Sequence, residues 1–313
     1  MPSPVYVFTG FLDSGKTTLI RETLDDKNFM EGIERTLIIC LEEGEIEYEP
    51  DWCKAHNVTV EYLDTIETLT PERIHELDTI CHPSQIFIEY NGSEPVNTKV
   101  LSQFPDYWPI VEVLTTVDAR TFESFINNMR GIMFEQLRYS NVVIVNRCTP
   151  DTSAQMVRGN IKAINRRAQI FYEGEHGQEV QLKSGTLPFD INSAVIDIKD
   201  DDYGLWYMDC MEDPAKYDGK KIILRGIYSE KIPGYDKSFV FGRQAMVCCS
   251  ADTSLCGLTV TGVKIEEMHI GDWVEVEGTL KLVNTGNDGK TVVLYAERCQ
   301  LYHPLEDPYV YFS

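Results

Sequence analysis

The sequence predicts an α/β domain built on a mostly parallel sheet with flanking helices, followed by a small all-β barrel. Three observations carry that expectation. Residues 10–17 read Gly-Phe-Leu-Asp-Ser-Gly-Lys-Thr, a complete G-x-x-x-x-G-K-[ST] loop. Up to about residue 175, apolar runs alternate with amphipathic stretches, as βαβ units do. After Asp200-Asp-Asp202 the chain turns to short strands punctuated by glycine and asparagine.

The loop sits where the physics needs it. Val5 to Phe8 is a short apolar run that leads in as a buried strand, and Leu19, Ile20, Thr23 and Leu24 recur at helical spacing on the way out. Gly10 and Gly15 let the backbone turn sharply, so that successive N–H groups point at one centre. The helix start adds its own free N–H groups and the positive end of its dipole. Lys16 is placed to reach terminal phosphates, and the Thr17 hydroxyl to ligate Mg²⁺. Asp13, Ser14 and Thr18 complete the expected cradle. This is the signature of a P-loop NTPase fold.

Further strands are expected at Thr36–Leu41, Val58–Tyr62, Gln85–Tyr90, Ile110–Val117, Asn141–Asn146 and Gln169–Phe171. One helix is expected between the fifth and sixth strands of the domain, with Phe122, Phe125, Ile126, Met129, Met133 and Leu137 as its core face. The strand Gln85–Glu89 ends in an acid, and Gly92 follows three residues later. In P-loop enzymes such an acid orients Mg²⁺ or its water, while the glycine N–H meets the terminal phosphate. Asn146 closes a strand where a base-reading asparagine belongs, with Arg147 beside it. Leu41-Glu-Glu-Gly-Glu45 is an acidic turn placed to be a switch segment, although Glu42, Glu43 and Glu45 can each equally face solvent. Lys16, Glu43 and Glu89 are the catalytic candidates.

Composition bounds the rest. A chain of 313 residues is comfortable for two domains, and 43% apolar with 25% charged residues is a soluble globular balance. No apolar run approaches the ~20 residues of a membrane span. The N-terminus shows no basic region, apolar stretch or cleavage site of a secretory signal. Nine scattered cysteines fit reduced thiols, and the expected location is cytoplasmic. A formal net charge of −22 repels phosphate backbones and argues against a nucleic-acid partner.

GFLDSGKTT resembles the GFLGSGKTT of the CobW-like P-loop GTPases, a SIMIBI-class branch that includes metallochaperones and is related to the UreG and HypB nickel proteins. Glu43-Gly44-Glu45 resembles the family's Asn-Glu-Phe-Gly-Glu switch, and IEYNGSEP at 88–95 resembles its E-[ST]-[ST]-G-x-x-x-P segment. Thr116-Val-Asp-Ala119 looks like its strand-ending V-D-A, and Gln136 falls where a glutamine precedes the strand leading to N-K-x-D. The resemblance covers about 170 residues and implies GTP with Mg²⁺ and a client protein or metalloenzyme, while hydrolysis by the chain alone is expected to be slow for want of an arginine finger. No arginine finger in cis is evident.

The sequence departs from the family in three ways. The usual Gly-Cys-x-Cys-Cys after the third strand reads Leu63-Asp-Thr-Ile-Glu-Thr-Leu69, without thiolates for a soft metal. N-K-x-D reads Asn146-Arg147-Cys148-Thr149, lacking the aspartate that accepts from guanine, so ATP stays open beside GTP. Only Asp151 or backbone carbonyls of the 147–151 loop remain as acceptors, and the GTP-over-ATP preference is expected to be about tenfold or less. The family's usual C-terminal domain is not recognisable.

The domains are expected at 1–175 and 201–313, joined by a linker over 176–200. The second should be an OB-like barrel with strands at Lys220–Tyr228, Phe239–Val247, Leu258–Val260, Asp272–Leu280 and Thr291–Tyr295. FVFGRQAMVCCSADTSLCGLTV resembles the C-terminal domain of YcgQ-type bacterial proteins. Cys248, Cys249, Asp252 and Cys256 crowd within nine residues, with Cys299 available from the last strand, and could hold Zn²⁺ or simply pack in the core. Arg243 is a further candidate. Phe239, Phe241 and Trp273 could form an aromatic platform, but no basic groove accompanies them. The main expectation is a GTPase switch whose barrel engages a client. The alternatives are a zinc metallochaperone acting through the cysteines and a non-catalytic nucleotide-bound scaffold, with a dimer open in each case.

Overall fold

The computed structural model describes the chain except residues 1, 43, 45, 46, 97, 183–186, 250, 251, 264–267, 285–289, 311 and 313; for 99, 100, 246–249 and 252 it describes the backbone alone. Two compact units emerge. The first comprises 1–152 with 164–183, and the second 153–163 with 184–313.

In the first unit the strands are β1 (Val5–Thr9), β2 (Thr36–Cys40), β3 (Val58–Tyr62), β4 (Gln85–Glu89), β5 (Ile110–Asp118), β6 (Val142–Asn146) and β7 (Gln169–Tyr172). They pair in the order β3-β2-β4-β1-β5-β6-β7, and every pairing is parallel. The helices are α1 (Lys16–Asp25), α2 (Pro50–Ala55), α3 (Pro71–Cys81), α4 (Thr98–Leu101), α5 (Phe122–Asn128) and α6 (Arg130–Leu137).

Strand alternation explains why the central strands read as unbroken apolar runs. Val5, Val7, Leu37, Ile39, Ile86 and Ile88 face one side, where Ile74 and Leu77 of α3 cover them. Phe8, Ile38, Cys40 and Phe87 face the other, under Ile20 and Leu24 of α1. A parallel sheet covered on both faces has no polar side to display. The strand ends of β1, β4, β5 and β6 therefore carry what polar chemistry the sheet has, at its carboxyl edge.

The expected single helix 122–137 is two. Met129, with φ −130°, ends α5 and begins α6, and its side chain is 38% exposed. Phe122, Ile126, Met133 and Leu137 are buried as expected, whereas Phe125 stacks on Phe11 of the P-loop with ring centroids 4.4 Å apart.

The second unit starts with α7 (Ala154–Ile164) and continues with β8 (Ile196–Asp197), α8 (Tyr203–Glu212), β9 (Lys221–Lys231), β10 (Ser238–Cys249), β11 (Asp252–Thr261), β12 (Trp273–Asn284), β13 (Lys290–Leu301) and β14 (Tyr309–Val310). Asn160 of α7 donates to the Phe312 carbonyl at 3.2 Å, which ties that helix to the end of the chain. Strands β9 to β13 close on themselves in the order β9-β10-β11-β13-β12-β9, with β11 and β13 parallel and the other neighbours antiparallel. That is a five-stranded OB-like barrel. Helix α8, absent from the sequence expectation, buries Tyr203, Trp206, Tyr207 and Cys210 in the barrel's core cluster.

Candidate functional site: a phosphate-binding loop and a base cavity

The P-loop leaves β1 through left-handed backbone at three positions: Gly10 (φ 127°), Asp13 (φ 60°) and Gly15 (φ 101°). At Gly10 no side chain fits, since a Cβ would lie 2.3 Å from the Thr116 carbonyl oxygen. The Ser14 hydroxyl shares a hydrogen bond of 2.6 Å with Thr116, which fixes the loop to β5. Gln136, fully buried, accepts from the Gly10 N–H at 3.0 Å and donates to the carbonyls of Gly92 (3.3 Å) and Glu94 (2.8 Å). It thereby splints the P-loop to the turn after β4. Gly92 lies so close to the loop that a Cβ would come within 2.1 Å of the Gly10 carbonyl oxygen.

Lys16 is the first residue of α1 and only 3% exposed. Its ammonium donates to the carbonyls of Gly10 and Phe11, each at 2.9 Å, and to Glu42 Oε2 at 2.6 Å. Glu42 Oε1 accepts from the Gly92 N–H at 3.2 Å. Thr17 Oγ1 donates to Glu89 Oε1 at 2.5 Å, and the Tyr48 hydroxyl donates to Glu89 Oε2 at 2.5 Å. The Cys40 thiol adds a longer contact of 3.7 Å to the same oxygen. Burial, and next the Glu89 carboxylate, push the Cys40 thiol up to about 12 and keep Tyr48 a protonated donor. Lys16, Thr17, Thr18, Glu42, Glu89 and Arg147 line a small cavity of about 70 Å³. Glu43 and Glu45 lie outside the described residues; among the described ones, the acid of the switch segment that meets the P-loop is Glu42.

A second cavity, of about 480 Å³, opens beside the loop between Gly15, Thr18, Asn146, Arg147, Glu173 and Glu175. Asn146 Nδ2 donates to the Ser14 carbonyl at 2.6 Å, while its buried Oδ1 has no partner. Arg147 stands at φ 53° and donates to the Asp13 carbonyl (2.9 Å) and to Asp118 Oδ2 (2.7 Å). Burial alone would raise the Asp118 carboxyl, but hydrogen bonds from Arg120 and then Arg147 outweigh it and hold it below the usual range. Thr149 and Asp151 are exposed on the turn beyond β6, and Asp151 does not line the cavity. The carboxylates that do are the exposed Glu22 and Glu175 and the half-buried Glu173, which follows β7 directly. Burial, and secondarily Glu22, raise its carboxyl above the ordinary value. Glu42, Tyr48 and Glu173 were not singled out from the sequence in these roles, because each reaches the site only through the tertiary fold.

In the barrel, Cys256 is 3% exposed and belongs to the core cluster. It pairs in register with Arg243, whereas Cys249 pairs with Asp252 at the far end of the hairpin. The side chains of Cys248, Cys249 and Asp252 lie outside the described residues. Among the described residues no three His, Cys, Asp or Glu side chains gather around a point. Phe239, Phe241 and Trp273 do not form an exposed platform: all three are buried, and Phe239 and Phe241 belong to the barrel's core cluster. Arg243 is likewise interior, 3% exposed, with its guanidinium near the rings of Tyr203 and Trp273 and bonded to the Asp200 and Tyr309 carbonyls.

A parallel sheet with this loop between β1 and α1 defines a P-loop nucleotide-binding protein. The chain belongs to the CobW/HypB/UreG family, whose nucleotide-binding domain matches residues 4–172, just over half of it. Residues 177–312 match the DUF1980 C-terminal domain. No curated protein sequence matches. Among solved structures, the chain is similar to Zn(II)-bound YjiA GTPase from E. coli, with 15% identity and a TM-score of 0.44, covering 95% of this chain and 90% of that one. It is also similar to hydrogenase maturation factor HypB from Archaeoglobus fulgidus, with 17% identity and a TM-score of 0.39, covering 55% and 81%. Among the described residues no helix is long and apolar enough to cross a membrane.

Proposed function

We propose that the chain is a GTP-dependent switch that binds GTP with Mg²⁺ on its P-loop, hydrolyses it slowly, and changes with nucleotide state how its second unit engages a client protein. The observation that carries this reading is the pairing of Thr17 Oγ1 with Glu89 Oε1 beside the buried Lys16 ammonium. Two hard oxygen donors next to a phosphate cradle suit Mg²⁺, and Thr17 and Glu89 would hold it. When bound, Mg²⁺ would supply neutralisation of the charge that develops on the phosphates. Lys16 and the α1 N-terminus hold the phosphates, and Gly92 N–H meets the terminal one. Slow turnover is supported by Arg147, an arginine lining the P-loop cavity, being committed to Asp118 and the Asp13 carbonyl.

On the base side, Asn146 can hold N7 of either purine, so it does not discriminate between them. Guanine additionally offers N1–H and N2–H₂ donors, and Glu173 on the cavity wall supplies the carboxylate that Thr149 cannot. The test is nucleotide binding by wild type and Lys16→Ala. Binding by wild type that falls at least about tenfold in the variant, 1.4 kcal/mol, is expected. Equal affinity in the two proteins, or none in either, sinks the reading.

A further inference from the structure

Glu42 occupies a singular place. Leu41 continues the β2–β4 pairing through its N–H to the Glu89 carbonyl at 2.9 Å, and the Cys40 thiol donates to the Glu42 carbonyl at 3.0 Å. The backbone at this point is thus fixed by the sheet, and the side chain is delivered inward with only 10% exposure. Its two carboxylate oxygens take Lys16 Nζ and the Gly92 N–H, one each. Those two donors, the P-loop lysine and the N–H of the turn after β4, are the ones assigned above to the end of a triphosphate.

We propose that Glu42 sets the discrimination between nucleoside di- and triphosphates by acting as a built-in competitor for the terminal phosphate. The inference rests on the P-loop reading above and adds to it a specificity-determining residue. An ammonium has three N–H donors, and here they meet the Gly10 carbonyl, the Phe11 carbonyl and Glu42. The two carbonyls belong to the loop itself, so the carboxylate is the partner that can be replaced. A terminal phosphate and a carboxylate are both anions seeking the same donors, and like charges do not share such a pocket. Triphosphate binding and release of Glu42 are therefore a single linked equilibrium, with the Glu42 side chain as the group that moves.

A diphosphate ends one phosphate earlier. It gains from a freed Lys16, which serves both β- and γ-phosphates, but makes no use of the Gly92 N–H. Removing the Glu42 charge therefore helps a triphosphate more than a diphosphate.

The experiment measures dissociation constants for a non-hydrolysable GTP analogue and for GDP, both with Mg²⁺, in wild type and Glu42→Gln. The ratio of analogue affinity to GDP affinity is expected to rise about tenfold in the variant, or 1.4 kcal/mol. An unchanged or lower ratio overturns the proposal while leaving the nucleotide site standing. Wild type that binds neither ligand overturns the site reading and this proposal with it. Should Glu42→Gln fail to fold, Glu42→Asp carries the same comparison. It is too short to span both donors, and is expected to shift the ratio the same way by a smaller factor.

Discussion

The Glu89 carboxylate is shared among Thr17, Tyr48 and Cys40, which come from α1, from the stretch after the switch segment and from β2. A strand-ending acid is legible in the sequence as a Mg²⁺ candidate, and so are Lys16 and Thr17, because a local motif fixes them. Tyr48 is not, since its hydroxyl finds Glu89 across 41 residues and nothing in its neighbours announces that. Glu173 is a similar case with a measurable consequence. Its carboxyl titrates above the ordinary value because it is half-buried and, secondarily, faces Glu22. As pH falls through that raised pKa the carboxylate gains a proton and stops accepting both guanine donors, whereas adenine never used it. The GTP-over-ATP preference is therefore expected to narrow as pH drops from about 7.5 toward 5, and to be already narrow at pH 7.5 in Glu173→Gln. Competition titrations at the two pH values check this. A preference that is independent of pH and unaffected by Glu173→Gln would remove Glu173 from base recognition.

Elements were legible where periodicity is strong and unreadable where tertiary packing decides. All seven strands of the first sheet fall within a residue or two of their expected bounds, because buried parallel strands are continuous apolar runs. The break at Met129 was not visible, since one apolar stripe runs through both α5 and α6. In the barrel, the alternation Phe239-Val-Phe241 establishes that the two phenylalanines share a face, but not whether that face is the interior or the exterior. The structure puts them inside. Contact between the turn after β4 and the P-loop is the tightest inter-element feature of the site. A methyl group at Gly92 would meet the Gly10 carbonyl oxygen at 2.1 Å and Phe11 Cα at 2.6 Å, both backbone atoms that cannot step aside. Gly92→Ala is expected to cost about 2 kcal/mol or more by urea unfolding, and to weaken nucleotide binding in parallel. A variant of wild-type stability with wild-type affinity would show that this approach is not required.

At the scale of the whole molecule, a P-loop unit and an OB-like barrel unit each bury a core of their own. Ligand that binds only folded protein stabilises it by mass action, about 2.7 kcal/mol at a hundredfold excess over the dissociation constant. For a unit of this size, that corresponds to a rise of roughly 5–10 °C in the melting temperature. The most direct measurement is calorimetric melting of wild type and Lys16→Ala with and without GTP and Mg²⁺. The account predicts that the nucleotide raises a transition of the wild type by about 5 °C or more and that of Lys16→Ala by no more than about half as much. The same shift in both proteins, or none in wild type, would contradict a nucleotide site built on this loop.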